Sequence, residues 1–410
     1  MEYSKIGDIC LKVCSGGTPN SSNPNYYNGG IPWLNTNEVN FCNIYSTNKT
    51  ISQEGLEHSA AKYVPANTVV VAMYGVTAGK SAIAKIPLTT NQACCNLVID
   101  AAKADYRYVY YFLKQQSDNL NKLANGGAQQ NLNSLIIKKY KIALPELPIQ
   151  HRIASILSTY DTLIENNTKR IRLLEKMAEN LYKEWFARFR FPGHENVEME
   201  NGLPKGWKIE TLGEWGIELE TGKRPKGGID GSMKDGCPSL GAECIKELAS
   251  FDYSSVKMVP KKFYDNLKRG KSSGNNILLY KDGAYIGKVT MFRDSFPYAE
   301  YSINEHVFFL SPKNIKYRNY LYFTLHQKEF FALMQNLNRN AAQPGLSRSD
   351  VERVKVVVPH SKIVELFDIQ VERILKVIFS LAKQNSLLAR QRDLLLPRLM
   401  SGKLEVKMKS

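Results

Sequence analysis

Two short glycine-lysine segments come closest to a chemical motif in this sequence. The first, Gly75-Val-Thr-Ala-Gly79-Lys80-Ser81, resembles the loop that cradles a nucleotide phosphate, but it has three residues between its glycines where that loop needs four. The second, Gly283-Ala-Tyr-Ile-Gly287-Lys288-Val289, ends in valine and lacks the hydroxyl that would hold a metal ion. Strand-like sequence follows both segments where a nucleotide loop would be followed by a helix. The spacing therefore argues against nucleotide hydrolysis.

We interpret both segments as tight turns between strands. Glycine permits positive φ in such turns and lets a ligand approach the backbone closely. The lysine after each turn is placed to meet a DNA phosphate, so we predict DNA contacts at Lys80 and Lys288, together with Thr77 and Tyr285 inside the turns. The alternative is a pair of hairpins without a ligand.

No other group of residues supports catalysis by this chain. Asn23-Pro-Asn-Tyr26 resembles the Asn-Pro-Pro-Tyr motif of amino-methyltransferases, but the second proline is missing and no glycine-rich loop for S-adenosylmethionine precedes it. A turn is the better interpretation. The six histidines are scattered and the seven cysteines show no zinc spacing. We therefore predict that the chain is not an enzyme and holds no metal or cofactor.

The charge balance indicates a polyanion as the binding partner. The 410 residues include 55 Lys and Arg against 39 Asp and Glu, a formal net charge of +16. Such an excess creates a positive field that attracts nucleic acid. The sequence shows neither a signal-peptide pattern nor a run of about 18 apolar residues, so we expect a cytoplasmic protein with reduced cysteines.

Polar loops supply candidates for reading bases. Two equivalent loops, near residues 125–131 and 338–345, are rich in amides and arginine, the side chains that hydrogen-bond the edges of adenine and guanine. The candidates in these loops and in other turns are Gln129, Gln130, Asn131, Arg339, Gln343, Arg348, Arg224, Lys226, Asn35 and Asn37. The alternative is that these loops are ordinary solvated turns.

The elements that would position these loops occur twice along the chain. Ile6-Gly-Asp8 returns as Leu212-Gly-Glu214, 206 positions later, and six such matches follow one another in the same order. The shift reaches 214 where Lys141-Ile-Ala-Leu-Pro145 returns as Lys355-Val-Val-Val-Pro359. Loop insertions produce such a drift. The sequence thus predicts two similar domains.

Each domain is followed by a segment with helical periodicity. After Pro148 and after Pro359, apolar residues recur every three or four positions, and each stripe contains one central asparagine, Asn167 or Asn385. A polar residue in an apolar seam costs stability but fixes the register, which favours two long helices packed on each other. The alternative is that each helix lies on its own domain.

The globular parts combine strands with short helices, which predicts an α+β fold. Strand-like runs occur at Thr68–Met73, Ile277–Tyr280 and Lys355–Val358, and helical stretches at Tyr106–Gln116 and Tyr317–Lys328. The predicted bounds are a first domain at 1–148, a first long helix at 149–190, a linker at 191–205, a second domain at 206–360, a second long helix at 361–403 and a tail at 404–410.

Several segments, taken in their order, resemble the DNA-specificity subunit of Type I restriction-modification systems over nearly the whole chain. They are Leu144-Pro-Glu-Leu-Pro-Ile-Gln-His-Arg-Ile-Ala-Ser-Ile-Leu157, Leu181-Tyr-Lys-Glu-Trp-Phe186, Gly202-Leu-Pro-Lys-Gly-Trp207 and Arg392-Asp-Leu-Leu-Leu-Pro-Arg-Leu-Met-Ser-Gly-Lys403. The resemblance implies two target-recognition domains, each reading one half of a split, asymmetric DNA site. It also implies that two long antiparallel coiled-coil helices join the domains about a pseudo-two-fold axis. Pro359-His-Ser-Lys-Ile363 departs from the family pattern, which leaves equal docking of the two helices open.

The resemblance further implies partners that carry out the chemistry. Two methyltransferase subunits would bring S-adenosylmethionine and methylate adenine, and two restriction subunits would use ATP and Mg²⁺. The apolar residues expected to face partners are Leu181, Trp185, Phe186, Leu395 and Leu399. The alternatives are a free-standing DNA-binding regulator, an enzyme acting alone, and the specificity subunit of a methylation-only system.

Overall fold

The structure is a computed structural model that describes residues 2–406 apart from 126–131, 232, 234, 273 and 340–344. Its contacts divide the chain into two compact units. Unit 1 comprises residues 1–163 and 388–410, and unit 2 comprises residues 164–387. Each unit therefore contains one copy of the sequence repeat together with parts of both long helices.

Unit 1 is built from short strands and helices. Its strands are β1 (Glu2–Lys5), β2 (Cys10–Ser15), β3 (Tyr27–Leu34), β4 (Asn43–Ile44), β5 (Lys49–Ile51), β6 (Val69–Ala72), β7 (Ser81–Ala84), β8 (Thr89–Thr90), β9 (Cys94–Ile99) and β10 (Lys141–Leu144). Its helices are α1 (Gln53–Glu57), α2 (Tyr106–Gln115), α3 (Ser117–Asn125), α4 (Ser134–Lys139) and the start of α5 (Leu147–Tyr182). The predicted strand at Thr68–Met73 and the predicted helix at Tyr106–Gln116 are confirmed as β6 and α2.

The strands of unit 1 form three sheets. The largest has the order β2-β9-β6-β7-β4, and the others are β5-β3-β8 and the pair β1-β10. Strand β6 is a run of Val and Ala buried along its whole length, as expected for a strand covered on both faces. Helix α2 begins where the Asp105 carboxylate accepts a hydrogen bond from the Arg107 N–H, a typical N-cap.

Unit 2 repeats this composition. Its strands are β11 (Met199–Glu200), β12 (Leu203–Pro204), β13 (Lys208–Thr211), β14 (Ile217–Thr221), β15 (Cys237–Leu240), β16 (Lys257–Val259), β17 (Asn276–Tyr280), β18 (Val289–Phe292), β19 (Ser302–Ile303), β20 (Val307–Pro312) and β21 (Lys355–Val358). Its helices are α6 (Lys261–Asp265), α7 (Arg318–Leu325), α8 (Lys328–Arg339), α9 (Arg348–Glu352) and most of α10 (Ser361–Met400). A π-helical turn, Lys183–Ala187, extends α5.

The sheet topology confirms the internal repeat. The order β14-β20-β17-β18 in unit 2 corresponds strand for strand to β2-β9-β6-β7 in unit 1. The sheet β16-β15-β19 corresponds to β5-β3-β8, and the pair β13-β21 to β1-β10. Unit 1 adds β4, which pairs in parallel with β7. The α+β prediction is therefore correct for both copies.

Within unit 2 the two long helices pack on each other and run in opposite directions. The Asn385 amide on α10 donates to the Thr168 hydroxyl on α5 at 3.3 Å. Further along α5, the Tyr182 ring lies 6.3 Å from the Phe367 ring, near the start of α10. Asn167 is 8% exposed. The predicted polar residues thus lie along the seam, which confirms that these helices pair.

The last turns of each long helix complete a domain core. Leu396, Leu399 and Met400 at the end of α10 belong to the core of unit 1. Residues that precede them by 214 positions, namely Tyr182, Trp185 and Phe186, belong to the core of unit 2. Each copy is therefore closed by the helix that follows the other copy in the sequence. None of the helices in the described part of the chain is long and apolar enough to cross a membrane.

Candidate nucleic-acid interface

The first glycine-lysine segment forms the turn between β6 and β7, which pair as an antiparallel hairpin. Gly75 and Gly79 adopt φ of +76° and +82°, so both glycines occupy the left-handed region. A Cβ on Gly79 would lie 2.8 Å from the Ser117 carbonyl oxygen of α3. From the same helix, the Asn121 amide donates to the Ala78 carbonyl at 3.0 Å. The predicted hairpin is confirmed, and α3 packs against its turn.

A second turn lies beside this hairpin. The Thr77 hydroxyl donates to the Thr36 carbonyl at 2.8 Å, which holds the turn containing Asn35 and Asn37 against the hairpin. The Lys80 ammonium donates to the Asn40 side-chain oxygen at 2.9 Å. We call residues 35–40 and 74–80 the first hairpin surface. The structure thus brings together four of the predicted DNA-binding residues: Asn35, Asn37, Thr77 and Lys80.

The four residues have different environments on this surface. Asn35 is part of a capping box, in which the Glu38 carboxylate accepts its backbone N–H at 3.2 Å. Thr77 is 7% exposed, and its hydroxyl is already bonded within the chain. Asn37 is exposed and Lys80 is half-buried. Asn37 and Lys80 are therefore the members of the set best placed to touch a ligand.

The second glycine-lysine segment is the equivalent hairpin between β17 and β18. Gly287 adopts φ of +89°, and a Cβ there would lie 2.4 Å from the Met334 side chain of α8. The Gln335 amide of α8 donates to the Ile286 carbonyl at 2.6 Å, as Asn121 does to Ala78 in unit 1. We call residues 241–247 and 281–288 the second hairpin surface. Tyr285 is 63% exposed at its tip.

The two lysines have different partners. Lys80 bonds a neutral amide, whereas the Lys288 ammonium forms an ion pair with the Glu247 carboxylate at 2.8 Å. Lys288 is 29% exposed and Glu247 is 69% exposed, so this pair is accessible to solvent. Lys288 must leave Glu247 before it can meet a phosphate, and Lys80 has no acidic partner to leave among the described ion pairs.

Arg224 is connected to the second hairpin surface through a chain of charged groups. Its Nε lies 3.1 Å from a Glu305 carboxylate oxygen, and the same oxygen lies 3.4 Å from His306 Nε2. His306 Nδ1 in turn lies 3.1 Å from Asp282, in the hairpin. Arg224 therefore belongs to the surroundings of this hairpin, although its charge is shared with an acid.

The remaining predicted base readers are scattered or lie outside the described residues. Lys226 is exposed in the loop after β14. Arg348 opens α9 and pairs with Glu352 at 2.6 Å, with 60% of its side chain exposed. Arg339 ends α8, and nothing is described of its side chain. Gln129, Gln130, Asn131 and Gln343 lie outside the described residues. The Leu346 N–H, just after the second amide-rich loop, donates to the Lys281 carbonyl at 3.1 Å, so this loop ends at the second hairpin.

The expectation that Leu181, Trp185, Phe186, Leu395 and Leu399 present an exposed apolar face to partners was wrong. Trp185, Phe186 and Leu399 are 8%, 5% and 2% exposed, and the other two are half-buried against the same cores. The Phe186 ring lies 4.6 Å from that of Tyr320 and 5.0 Å from that of Phe367. The physical reason is that these residues close the core of a domain within the same chain.

Other apolar side chains on the long helices are exposed. On α5, Leu173 is 69% and Met177 is 59% exposed, one turn apart. On α10, Leu366, Ile369 and Val377 are 45%, 52% and 42% exposed. The apolar periodicity of the sequence placed none of these in the helix seam, because they fall between the positions of the apolar stripe. Leu163 on α5 and Leu387 and Leu394 on α10 are also exposed, by 45%, 59% and 57%, so both long helices offer apolar residues to a partner.

Ion pairs and hydrogen bonds that are largely screened from solvent connect the globular part of each unit to the long helices. In unit 2, the Arg293 guanidinium donates to both Glu372 oxygens, at 2.6 and 2.9 Å, and it is 5% exposed. This hydrogen bond lowers the pKa of the Glu372 carboxyl and outweighs the opposing effect of burial. In unit 1, Asp161 on α5 accepts hydrogen bonds from the Tyr111 hydroxyl of α2 and from Arg392 of α10. These contacts hold helix and domain together in both units.

Two contacts of the hairpin surfaces were missed in the sequence. Asn40 and Glu247, which hold the two lysines, lie 40 and 41 residues from them, and no local pattern connects such positions. Val76 is 94% exposed at the tip of the first hairpin and was also missed. The sequence did carry a signal for its exposure, because it is an apolar residue between two turn glycines.

Comparison with known proteins agrees with this architecture. The sequence profile of the Type I restriction modification DNA specificity domain matches residues 1–176 and 204–396. The specificity subunit of the Type I restriction enzyme MjaIX from Methanocaldococcus jannaschii is 28% identical over 99% of this chain and 94% of its own length. The EcoR124I/EcoR124II specificity subunit from Escherichia coli is 29% identical over 48% of this chain and 50% of its own length. The crystal structure of a Type I S subunit from M. genitalium has the same fold, with a TM-score of 0.57 and 19% identity over 100% of this chain and 96% of that one.

The chain therefore belongs to the family of Type I restriction-modification DNA specificity proteins, as its sequence motifs predicted. Its function is that of a specificity subunit, which recognises DNA. A free-standing regulator is not favoured, because a relative that matches along nearly the whole chain is the specificity subunit of a restriction enzyme.

Proposed function

We propose that each unit reads one half of a bipartite, asymmetric DNA target through its hairpin surface. The observation that carries this proposal is that the two units share one fold but present different side chains on their hairpin surfaces. The strand order is the same in both units, but the first surface offers Asn35, Asn37 and Lys80 where the second offers Gly241, Glu243 and Lys288. Identical surfaces would read two identical half-sites, whereas different ones read different sequences.

Affinity and specificity come from different groups in this proposal. Lys80, Lys288 and Lys226 meet phosphates, which supply the salt-dependent part of binding. Asn37, Tyr285, Arg348 and the amide-rich loops at 129–131 and 339–343 meet bases. Thr77 and Asn35 position the first surface through their bonds to backbone atoms. We keep residues 1–148 and 206–360 as the two target-recognition domains.

The chain recognises the target and its partners carry out the reaction. In this proposal two methyltransferase subunits bring S-adenosylmethionine and methylate adenine, and two restriction subunits use ATP and Mg²⁺. The chain itself is not an enzyme and works in the cytoplasm. Because Trp185 and Phe186 are buried, we assign partner contacts to the exposed apolar residues of α5 and α10, beginning with Leu173 and Met177. A methylation-only system without restriction subunits is the second candidate.

Single-residue variants can separate the two half-sites. Asn37→Ala in the first surface should relax one half-site, and Tyr285→Ala in the second should relax the other, when adenine methylation is mapped in a host carrying the chain with its methyltransferase partner. Gln53→Ala removes an exposed amide of unit 1 outside the hairpin surface and serves as the control. A variant that changed both half-sites, or neither variant changing any, would contradict the assignment.

A further inference from the structure

Three side chains of the types that bind metal ions converge in unit 2. Glu175 and Glu179 lie one turn apart on α5, and His326 caps the C-terminal end of α7. His326 Nε2 lies 3.3 Å from a Glu179 carboxylate oxygen and 4.0 Å from one of Glu175. One donor atom from each of the three lies within 4.8 Å of the other two. The side chains are 17%, 27% and 19% exposed, so the cluster is partly screened from solvent.

This spacing suits a small divalent ion. Zinc binds imidazole nitrogen and carboxylate oxygen at about 2.0–2.2 Å, so two ligand atoms of a tetrahedral zinc lie roughly 3.4 Å apart. The 3.3 and 4.0 Å separations are close to that value, and small side-chain rotations would bring the third atom to it. Three protein ligands with an open fourth position are typical of zinc sites that also hold water.

A buried tyrosine beside the cluster supplies an independent observation. Tyr322 on α7 is 0% exposed, and its hydroxyl has no hydrogen-bond partner among the residues that the structure describes. Its ring stacks on His326 with the ring centres 5.2 Å apart. Burial, and then the charges of Glu175, Glu179 and Glu247, raise the pKa of this hydroxyl well above its usual range. A buried hydroxyl without a partner is costly, which indicates that something else bonds it.

The sequence repeat provides an internal comparison. Tyr111 in unit 1 precedes Tyr322 by 211 positions and has the same place on α2 that Tyr322 has on α7. The Tyr111 hydroxyl donates to Asp161, and the cationic Arg392 also binds that carboxylate. In unit 2, the charged groups that act on Tyr322 are the carboxylates of Glu175, Glu179 and Glu247, and the His326 imidazole stacks on its ring. Of these carboxylates, that of Glu247 pairs with Lys288. Unit 1 thus has an arginine where unit 2 has an excess of negative charge.

We propose that Glu175, Glu179 and His326 bind one divalent transition-metal ion of the zinc type. Its charge replaces that of the arginine in unit 1, and the Tyr322 hydroxyl donates to a metal-bound water or carboxylate oxygen. The ion fastens α7 of the second recognition domain to α5. Sequence analysis predicted no metal because the ligands lie 147 residues apart and only two of them share a helix.

Zinc itself is the probe for the test. The full chain is stripped with a chelator, kept reduced with a phosphine, and titrated with Zn²⁺ by calorimetry, with Co²⁺ absorption reporting ligand type. We expect one site per chain with nitrogen and oxygen ligands and no thiolate charge-transfer band. His326→Gln and the pair Glu175→Gln with Glu179→Gln should each weaken it about tenfold or more. Zinc should also raise the melting temperature of the wild-type chain and not that of His326→Gln.

Controls keep the outcome clear. His194→Gln with Glu184→Gln removes an exposed histidine and a glutamate from the turn that extends α5, both outside the cluster, and it should leave zinc affinity unchanged. Tyr322→Phe keeps the ring packing and should lower affinity by less than the ligand variants do. Circular dichroism verifies folding of every variant. The proposal is overturned if the folded wild-type chain shows no such site, or if folded cluster variants bind zinc as tightly as the wild type.

Discussion

Replacing the hairpin lysines by alanine tests whether they contact DNA phosphates. Each phosphate contact contributes about 0.9 to the slope of log affinity against log salt, so Lys80→Ala and Lys288→Ala should each lower the slope by about 0.9. Between 50 and 200 mM salt, one contact corresponds to a change in affinity of about 3.5-fold. The base preference should stay the same, because phosphate contacts carry no sequence information.

The structure predicts that the two variants differ in affinity. Lys288 must give up its exposed pair with Glu247, and such surface pairs contribute about 0.2–1 kcal/mol. Lys288→Ala should therefore cost less affinity than Lys80→Ala by about that amount, and Glu247→Gln should strengthen binding. Fluorescence anisotropy on a duplex that carries the mapped target, at several salt concentrations, measures both quantities. An unchanged slope, or a changed half-site preference, would refute the phosphate assignment.

Three further predictions concern stability and assembly. Phe186→Ala should lower the free energy of unfolding by about 3–5 kcal/mol because it leaves a cavity among buried rings, while Phe331→Ala at a 38% exposed site should cost far less; urea unfolding compares them. Arg293 lowers the pKa of Glu372 in the folded chain, so the ionised carboxylate stabilises the fold above the ordinary carboxyl pKa. This contribution is lost as the pH falls through the pKa that Glu372 has in the folded chain. Glu372→Gln should therefore lose less stability than the wild type between about pH 5 and 3. Residues 1–200 alone should dimerise, because the end of α5 from a second copy can fill the core positions that the end of α10 fills in the full chain. Tyr182, Trp185 and Phe186 would take the places of Leu396, Leu399 and Met400. A monomer by light scattering at micromolar concentration would count against this.

Local patterns in the sequence were sufficient to predict the repeat and the hairpins. The glycines at 75 and 79 require positive φ, and that requirement depends only on a few neighbouring residues. The strand order of unit 2 then follows that of unit 1, because matched sequences give matched elements. The asparagines of the long helices likewise indicated a paired seam, which the bond from Asn385 to Thr168 confirms.

Contacts between distant residues could not be predicted in the same way. An apolar stripe shows that a helix face is buried, but it does not show whether the covering surface belongs to the same chain. Trp185 and Phe186 were assigned to partners for this reason, and they lie in a domain core instead. The partners of Lys80 and Lys288, and the approach of His326 to Glu179, depend on the tertiary fold alone.

Mapping adenine methylation in a host that carries this chain with its methyltransferase partner tests the central claim most directly. The claim is that two similar domains with different hairpin surfaces read two different half-sites. We predict methylation at a split target whose two halves differ in sequence, and no methylation at that target when the chain is absent. A contiguous or palindromic target, or methylation that persists without this chain, would contradict the account.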